Sequence, residues 1–139
     1  MGLGSEKGIT AQLNGIKELL GPDRINYNAL FLGQHDALNC QPELIEESAV
    51  KAYSGIGLDR SVLVGRYLFL FGSVDSLLQA RPDVWSRLEG LPYSIYVNIG
   101  LESGHQQTLD AIRKPLGADR VMDAFDRMLE INHSQCICI

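Results

Sequence analysis

Tyr93-Ser-Ile-Tyr-Val-Asn-Ile-Gly100 reads as one buried strand, an apolar run closed by glycine. A helical pattern follows over residues 106–113 and another over 118–130. In the second, Val121, Phe125, Met128 and Leu129 form the expected core face. The chain then reaches Cys136-Ile-Cys-Ile139, the first residues of a further strand. Upstream, residues 74–88 carry a helical pattern interrupted by Pro82. Before it, Ser61-Val-Leu-Val-Gly-Arg-Tyr-Leu-Phe-Leu-Phe71 is a strand region too long for one strand, with Gly65 marking a bend or an earlier stop. Tyr67, Phe69 and Phe71 alternate, so they share one strand face, and core packing accounts for them.

The same alternation continues to the start. Pro42 and Glu43 open a helix, proline in its first turn and an acid at its positive end, with Leu44, Ile45, Ala49 and Tyr53 as its apolar stripe and Gly55 and Gly57 as its stop. Asn28-Ala-Leu-Phe-Leu-Gly33 is a short strand expected to be buried on both faces. A first helix, capped by Thr10, presents Leu13, Ile16, Leu19 and Leu20 and stops at Gly21-Pro22-Asp23. The order α-β-α-β-α-β-α-(β) predicts an α/β fold with a parallel sheet, residues 1–139 forming a single domain. Both ends read as cut. A parallel sheet with two open edges exposes unpaired backbone, so the expectation is a part of something larger or a homo-oligomer formed through those edges.

Composition narrows the function classes. The 139 residues carry 12 basic and 17 acidic side chains, a net charge of −5, which argues against a nucleic-acid partner. No apolar run of membrane-spanning length and no signal peptide is present, so no membrane partner and a cytoplasmic location are expected. Cys40 lies 96 residues before Cys136, and an odd set of three cysteines reads as free thiols rather than a disulfide framework or a cluster ligand set. Met1-Gly-Leu-Gly-Ser-Glu-Lys-Gly8 is glycine-rich, but no strand precedes it and its spacing does not match a dinucleotide-binding loop.

Three segments go beyond a generic α/β pattern: Phe31-Leu-Gly-Gln-His-Asp-Ala-Leu38, Tyr67-Leu-Phe-Leu-Phe-Gly-Ser-Val-Asp-Ser-Leu-Leu78, and Asn98-Ile-Gly-Leu-Glu-Ser-Gly104 followed by Thr108-Leu109 and Lys114-Pro115. Together they resemble the radical S-adenosylmethionine (radical SAM) enzymes with a GLESG sequence at the fourth barrel strand. The likeness covers about residues 10–139. It implies part of a partial (β/α) barrel of TIM type, with S-adenosylmethionine across the C-terminal strand ends, and a [4Fe–4S] cluster that cleaves it to a 5′-deoxyadenosyl radical. The family's Cys-x3-Cys-x2-Cys motif is absent from these residues, so the chain alone is expected to lack the cluster and its radical chemistry.

The resemblance also implies site residues. Gly33, Gln34 and Asp36 stand at the family's glycine-rich strand end, which meets the methionyl amine; Gln34 and His35 occupy places where a second glycine or small residue is common. A turn with a capping aspartate is the competing reading of Asp36, and a surface loop position that of His35. Glu102, helped by Ser103, would accept from the ribose hydroxyls; otherwise it begins a helix at the positive dipole end. Lys114 stands where relatives pair an arginine with the ligand carboxylate, and helix-C-terminal charge is its alternative. Ser73 and Asp75 face the substrate or cap the next helix, capping being preferred. A non-catalytic α/β module that binds or oligomerises is the reading from another class.

Overall fold

The computed structural model describes residues 6–33 and 35–139. Its elements are α1 (Glu6–Leu20), β1 (Ala29–Leu32), α2 (Pro42–Ala52), β2 (Tyr67–Gly72), α3 (Val74–Gln79), α4 (Pro82–Glu89), β3 (Ser94–Ile99), α5 (Gln106–Ala111), α6 (Ala118–Ser134) and β4 (Ile137–Cys138). The α/β class and the parallel sheet expected from the alternation are present. All three strand pairings are parallel, and the spatial order is β1-β2-β3-β4. The order never reverses, so the sheet has no switch point of the doubly wound kind.

Side chains alternate across the strands, and only one face is covered. The row Leu30, Leu68, Ile95 and Ile137 is buried beneath the helices, as is the row Leu32, Leu70 and Val97. Helix residues Ile45, Ala49, Leu77, Val84, Trp85, Leu88 and Ala124 close the same core. Each fully buried leucine or isoleucine contributes about 1.5–3 kcal/mol by leaving water. The opposite face carries Phe31, Phe69, Tyr96 and Cys138 in one cross-strand row, exposed or half-exposed. Phe31 stacks on Phe69 at 4.8 Å between ring centroids, and Phe69 on Tyr96 at 5.3 Å. Two expectations are thereby corrected. The first strand is not buried on both faces, and Tyr67, Phe69 and Phe71 are not core residues. Strand periodicity identifies which residues share a face but not whether another layer covers it.

Several local expectations need adjusting. Thr10 lies inside α1 instead of capping it. Leu19 is 84% exposed, and the buried side of α1 is Ile9 and Leu13. In α6, Phe125 and Leu129 are exposed, while Val121, Ala124, Met128 and Ile131 are buried. The helix is rotated so that the small Ala124, not Phe125, allows close approach to the core. Pro42 and Glu43 do open α2, and Pro82 splits the stretch after β2 into α3 and α4. Gly65, in the left-handed region at φ +77°, lies in the turn before β2, so the long apolar run yields only one strand. Arg87 on α4 ties that helix to α2 through Glu43 and Glu46.

Candidate functional site

Each of the first three strands runs into a glycine at its C-terminal end: Gly33, Gly72 and Gly100. Two have a steric reason. A Cβ on Gly33, whose φ is +82°, would stand 2.8 Å from the Ala37 Cβ; one on Gly72 would stand 2.6 Å from a Leu38 methyl. The loop after β1 therefore folds tightly over the strand ends, with Ala37 and Leu38 buried beneath it. That fold delivers Asp36 to the start of α3. One Asp36 oxygen accepts from the Ser73 N–H at 3.2 Å, and the other accepts from the Ser73 hydroxyl at 2.7 Å. Ser73 in turn caps α3, its Oγ accepting from the Ser76 N–H at 3.0 Å. The capping role preferred for Ser73 is what the structure shows, and Asp36 anchors it from 37 residues away.

The end of β3 carries the second half of the site. Glu102 has φ +64°, a conformation that ordinary side chains avoid. The Ser103 N–H donates back to the Leu101 carbonyl at 2.8 Å, closing a tight three-residue turn around Glu102. Such backbone costs about 1–3 kcal/mol and gathers at functional sites. Glu102 does not begin a helix: α5 starts four residues later, with His105 before it. Ser103 Oγ accepts from the His105 N–H at 3.1 Å, steadying the loop rather than joining Glu102.

After α5 the chain turns through Arg113 at φ +55°. The Lys114 N–H reaches the Leu109 carbonyl and the Arg113 N–H the Asp110 carbonyl, the paired bonds of a Schellman cap with arginine where glycine is usual. The turn points Lys114 back across Gly100, and its Nζ lies 3.0 Å from Glu102 Oε1.

A cleft of about 310 Å³ opens at this end of the sheet, lined by His35, Gly72, Ser73, Gly100 and Lys114 among others; of the described residues expected to bind a ligand, only Lys114 lines it, and Gly33, Asp36, Glu102 and Ser103 stand outside its lining. Gly33, Asp36, Glu102, Ser103 and Lys114 all belong to one rim, the C-terminal ends of the strands, where parallel α/β folds place ligands. Gln34 lies outside the described residues. His35 is an exposed loop residue that also lines the cleft. No protein-family model matches the chain, and no curated protein or solved structure is significantly similar to it.

The donor set can be tested against what the resemblance implies. A glutamate, a lysine and bare glycine backbone suit a ligand bearing hydroxyls and a carboxylate. The resemblance assigns Glu102 and Lys114 to separate ligand groups, yet they hold each other. Their side chains are 47% and 37% exposed, and such a pair is worth only about 0–1 kcal/mol, so a ligand can part it at small cost. Asp36 spends both oxygens on Ser73, and an ammonium group would have to share them.

An iron–sulfur cluster does not fit this chain's own thiols. Cys40 follows β1 at one sheet edge, whereas Cys136 immediately precedes β4 and Cys138 lies in it at the other, three strand spacings of about 4.8 Å away. Among the described residues no group of three or more candidate ligands could hold a metal ion. Burial and then the Asp36 charge push the Cys40 thiol above its ordinary pKa, the opposite of what a thiolate ligand needs.

Two features escaped the sequence reading. The Asp36–Ser73 clasp had no local signal. The glycine ending β2, Gly72, carries the same sequence signal as Gly33 and Gly100, but its steric reason, the Leu38 side chain, comes from a distant loop.

Proposed function

We propose that this chain is a segment of a radical SAM half-barrel, acting in the cytoplasm, whose strand-end rim holds S-adenosylmethionine. One observation carries the reading: in a sequential, all-parallel sheet, helix-covered on one face only, Gly33, Asp36, Glu102 and Lys114 all follow strands at the same end, where Lys114 lines the cleft. A barrel opened flat has this order and this one-sided cover, its bare face being the barrel interior. Glu102 would accept from the ribose hydroxyls, Lys114 would meet the carboxylate, and the glycines would let backbone close on the ligand. S-adenosylmethionine bound beside a reduced [4Fe–4S] cluster supplies a 5′-deoxyadenosyl radical in this family. The cysteines here do not fit that cluster, so no step of the radical chemistry is assigned to this chain's residues.

The test is an amide NMR titration with S-adenosylmethionine. Weak, saturable shifts at Gly33, Gly72, Gly100 and Glu102, reduced in Glu102→Gln, are the expected result. Shifts elsewhere only, or none at the rim, would count against the reading, and so would an unchanged response in the variant.

The exposed aromatic row and the two open edge strands favour a second reading, a non-catalytic α/β module that associates with itself. No helix of the described residues is long and apolar enough to cross a membrane. Sedimentation at high concentration discriminates: a monomer removes the self-association reading, and a dimer lost on Phe31→Glu supports it.

A further inference from the structure

The opposite end of the molecule holds a second cavity. Residues 21–28 lead into β1 and residues 53–66 into β2, so the space between them lies at the N-terminal strand ends, away from the Glu102 rim. It measures about 350 Å³ and is lined by Lys17, Arg24, Ser54, Gly55, Gly57 and Arg60 among others. Three cations converge there in a chain whose net charge is −5. Among the described residues, the only carboxylate paired with any of them is Asp59, 3.8 Å from the largely exposed Arg60. Among the described residues, Lys17 and Arg24 have no ion-pair partner.

The cavity walls are fixed by the chain. Arg24 Nη1 donates to the Gly21 carbonyl at 3.1 Å, which holds the guanidinium in place. Gly57, at φ +88°, lies directly against it: a Cβ there would stand 3.5 Å from Arg24 Nε. The one π-helical turn Tyr53–Gly57 supplies Ser54 and Gly55. The Ser61 hydroxyl and the Val62 N–H both donate to the Ile25 carbonyl, tying the neighbouring turn to the floor of the cavity. Like charges repel, and a fold that gathers three of them around one concavity lowers that repulsion when an anion enters.

We infer that this cavity binds the phosphoryl group of a small phosphorylated molecule, with Lys17, Arg24 and Arg60 as its counter-charges and the Ser54 hydroxyl as a further donor. The volume suits a small organic phosphate, at the low end of ligand pockets. Arg24 supplies the directional donors, and the two exposed cations supply charge. This site is independent of the proposed S-adenosylmethionine rim, and either can fail without the other.

The experiment is an amide NMR titration at fixed ionic strength, with inorganic phosphate in one arm and glycerol 3-phosphate in the other, and chloride as the blank. Saturable shifts at Ser54, Gly55 and Gly57, with none at Gly100, are expected. Affinity should fall roughly tenfold for each cation removed. Tighter binding of glycerol 3-phosphate assigns an organic monoester, and equal binding assigns the phosphoryl group alone. Because Arg24 also braces the fold, the exposed pair is tested first as Lys17→Ala with Arg60→Ala, and the triple variant with Arg24→Ala second. No saturable shift in either arm beyond chloride overturns the inference, as does an affinity unchanged in the double variant or no further loss in the triple one.

Discussion

Lys114 sets its ammonium 3.0 Å from a Glu102 oxygen, and the pair meets over Gly100, where a Cβ would stand 3.5 Å from that oxygen and 4.0 Å from the ammonium. Two groups twelve residues apart thus meet beside the strand-end cleft, which Lys114 lines, and the pair is exposed enough to open. Lys114→Met should leave stability within about 1 kcal/mol of the parent in urea denaturation. The same variant should weaken the response of Gly100 to S-adenosylmethionine. A loss of several kcal/mol would show that the lysine serves the fold instead.

Backbone strain separates a site residue from a structural one. Glu102 and Arg113 are the only non-glycine residues at positive φ among those described. Glycine relieves the steric cost of the left-handed region, about 1–2 kcal/mol, and returns part of it as extra unfolded-chain entropy. Arg113→Gly and Glu102→Gly should each raise stability by about 0.5–1 kcal/mol, read as a higher thermal midpoint. Only Glu102→Gly should abolish the ligand response at the rim. If both variants keep it, Glu102 has no part in binding.

The Asp36–Ser73 clasp makes a distinct prediction about coupling. Asp36→Ala leaves the Ser73 hydroxyl and N–H without that carboxylate, and Ser73→Ala removes both the cap of α3 and the Asp36 partner. Each should cost about 1–2 kcal/mol. Because the residues share bonds, the double variant should cost less than the sum, by about 0.5 kcal/mol or more. Strict additivity in denaturant melts would refute the clasp.

Thiol chemistry should divide the cysteines by position. Cys40 is half-buried with its pKa raised above 9.0 by burial and by Asp36, whereas Cys136 and Cys138 are exposed. At pH 8 iodoacetamide should modify Cys136 and Cys138 first, and Cys40 more slowly. The sign for stability follows from the raised value. Its contribution is complete below the unfolded thiol's pKa and is lost as pH climbs through the folded one. Asp36→Asn removes one of the two causes and should speed Cys40 modification. Faster labelling of Cys40 than of the terminal pair would contradict the placement.

Local pattern carried most of the element list. Pro42 and Pro82 sit where helices begin, Gly33 and Gly100 where strands stop, and Tyr93–Gly100 contains β3, because these rules depend on neighbours along the chain. Rotation of the helices was less legible. The stripe proposed for α6 included Phe125 and Leu129, yet the face that packs is centred on Ala124, since contact with the core rewards a small residue at the closest approach.

From its residues alone, this chain was bound to alternate helices with strands and to end its strands in glycine, since propensity, capping and chain reversal act over a few neighbours. The one-sided cover of the sheet, the bare aromatic row, the Asp36–Ser73 clasp and the Glu102–Lys114 pair came from the folded arrangement. Those features depend on which distant segments meet, and side-chain periodicity reports a shared face without naming what lies across from it.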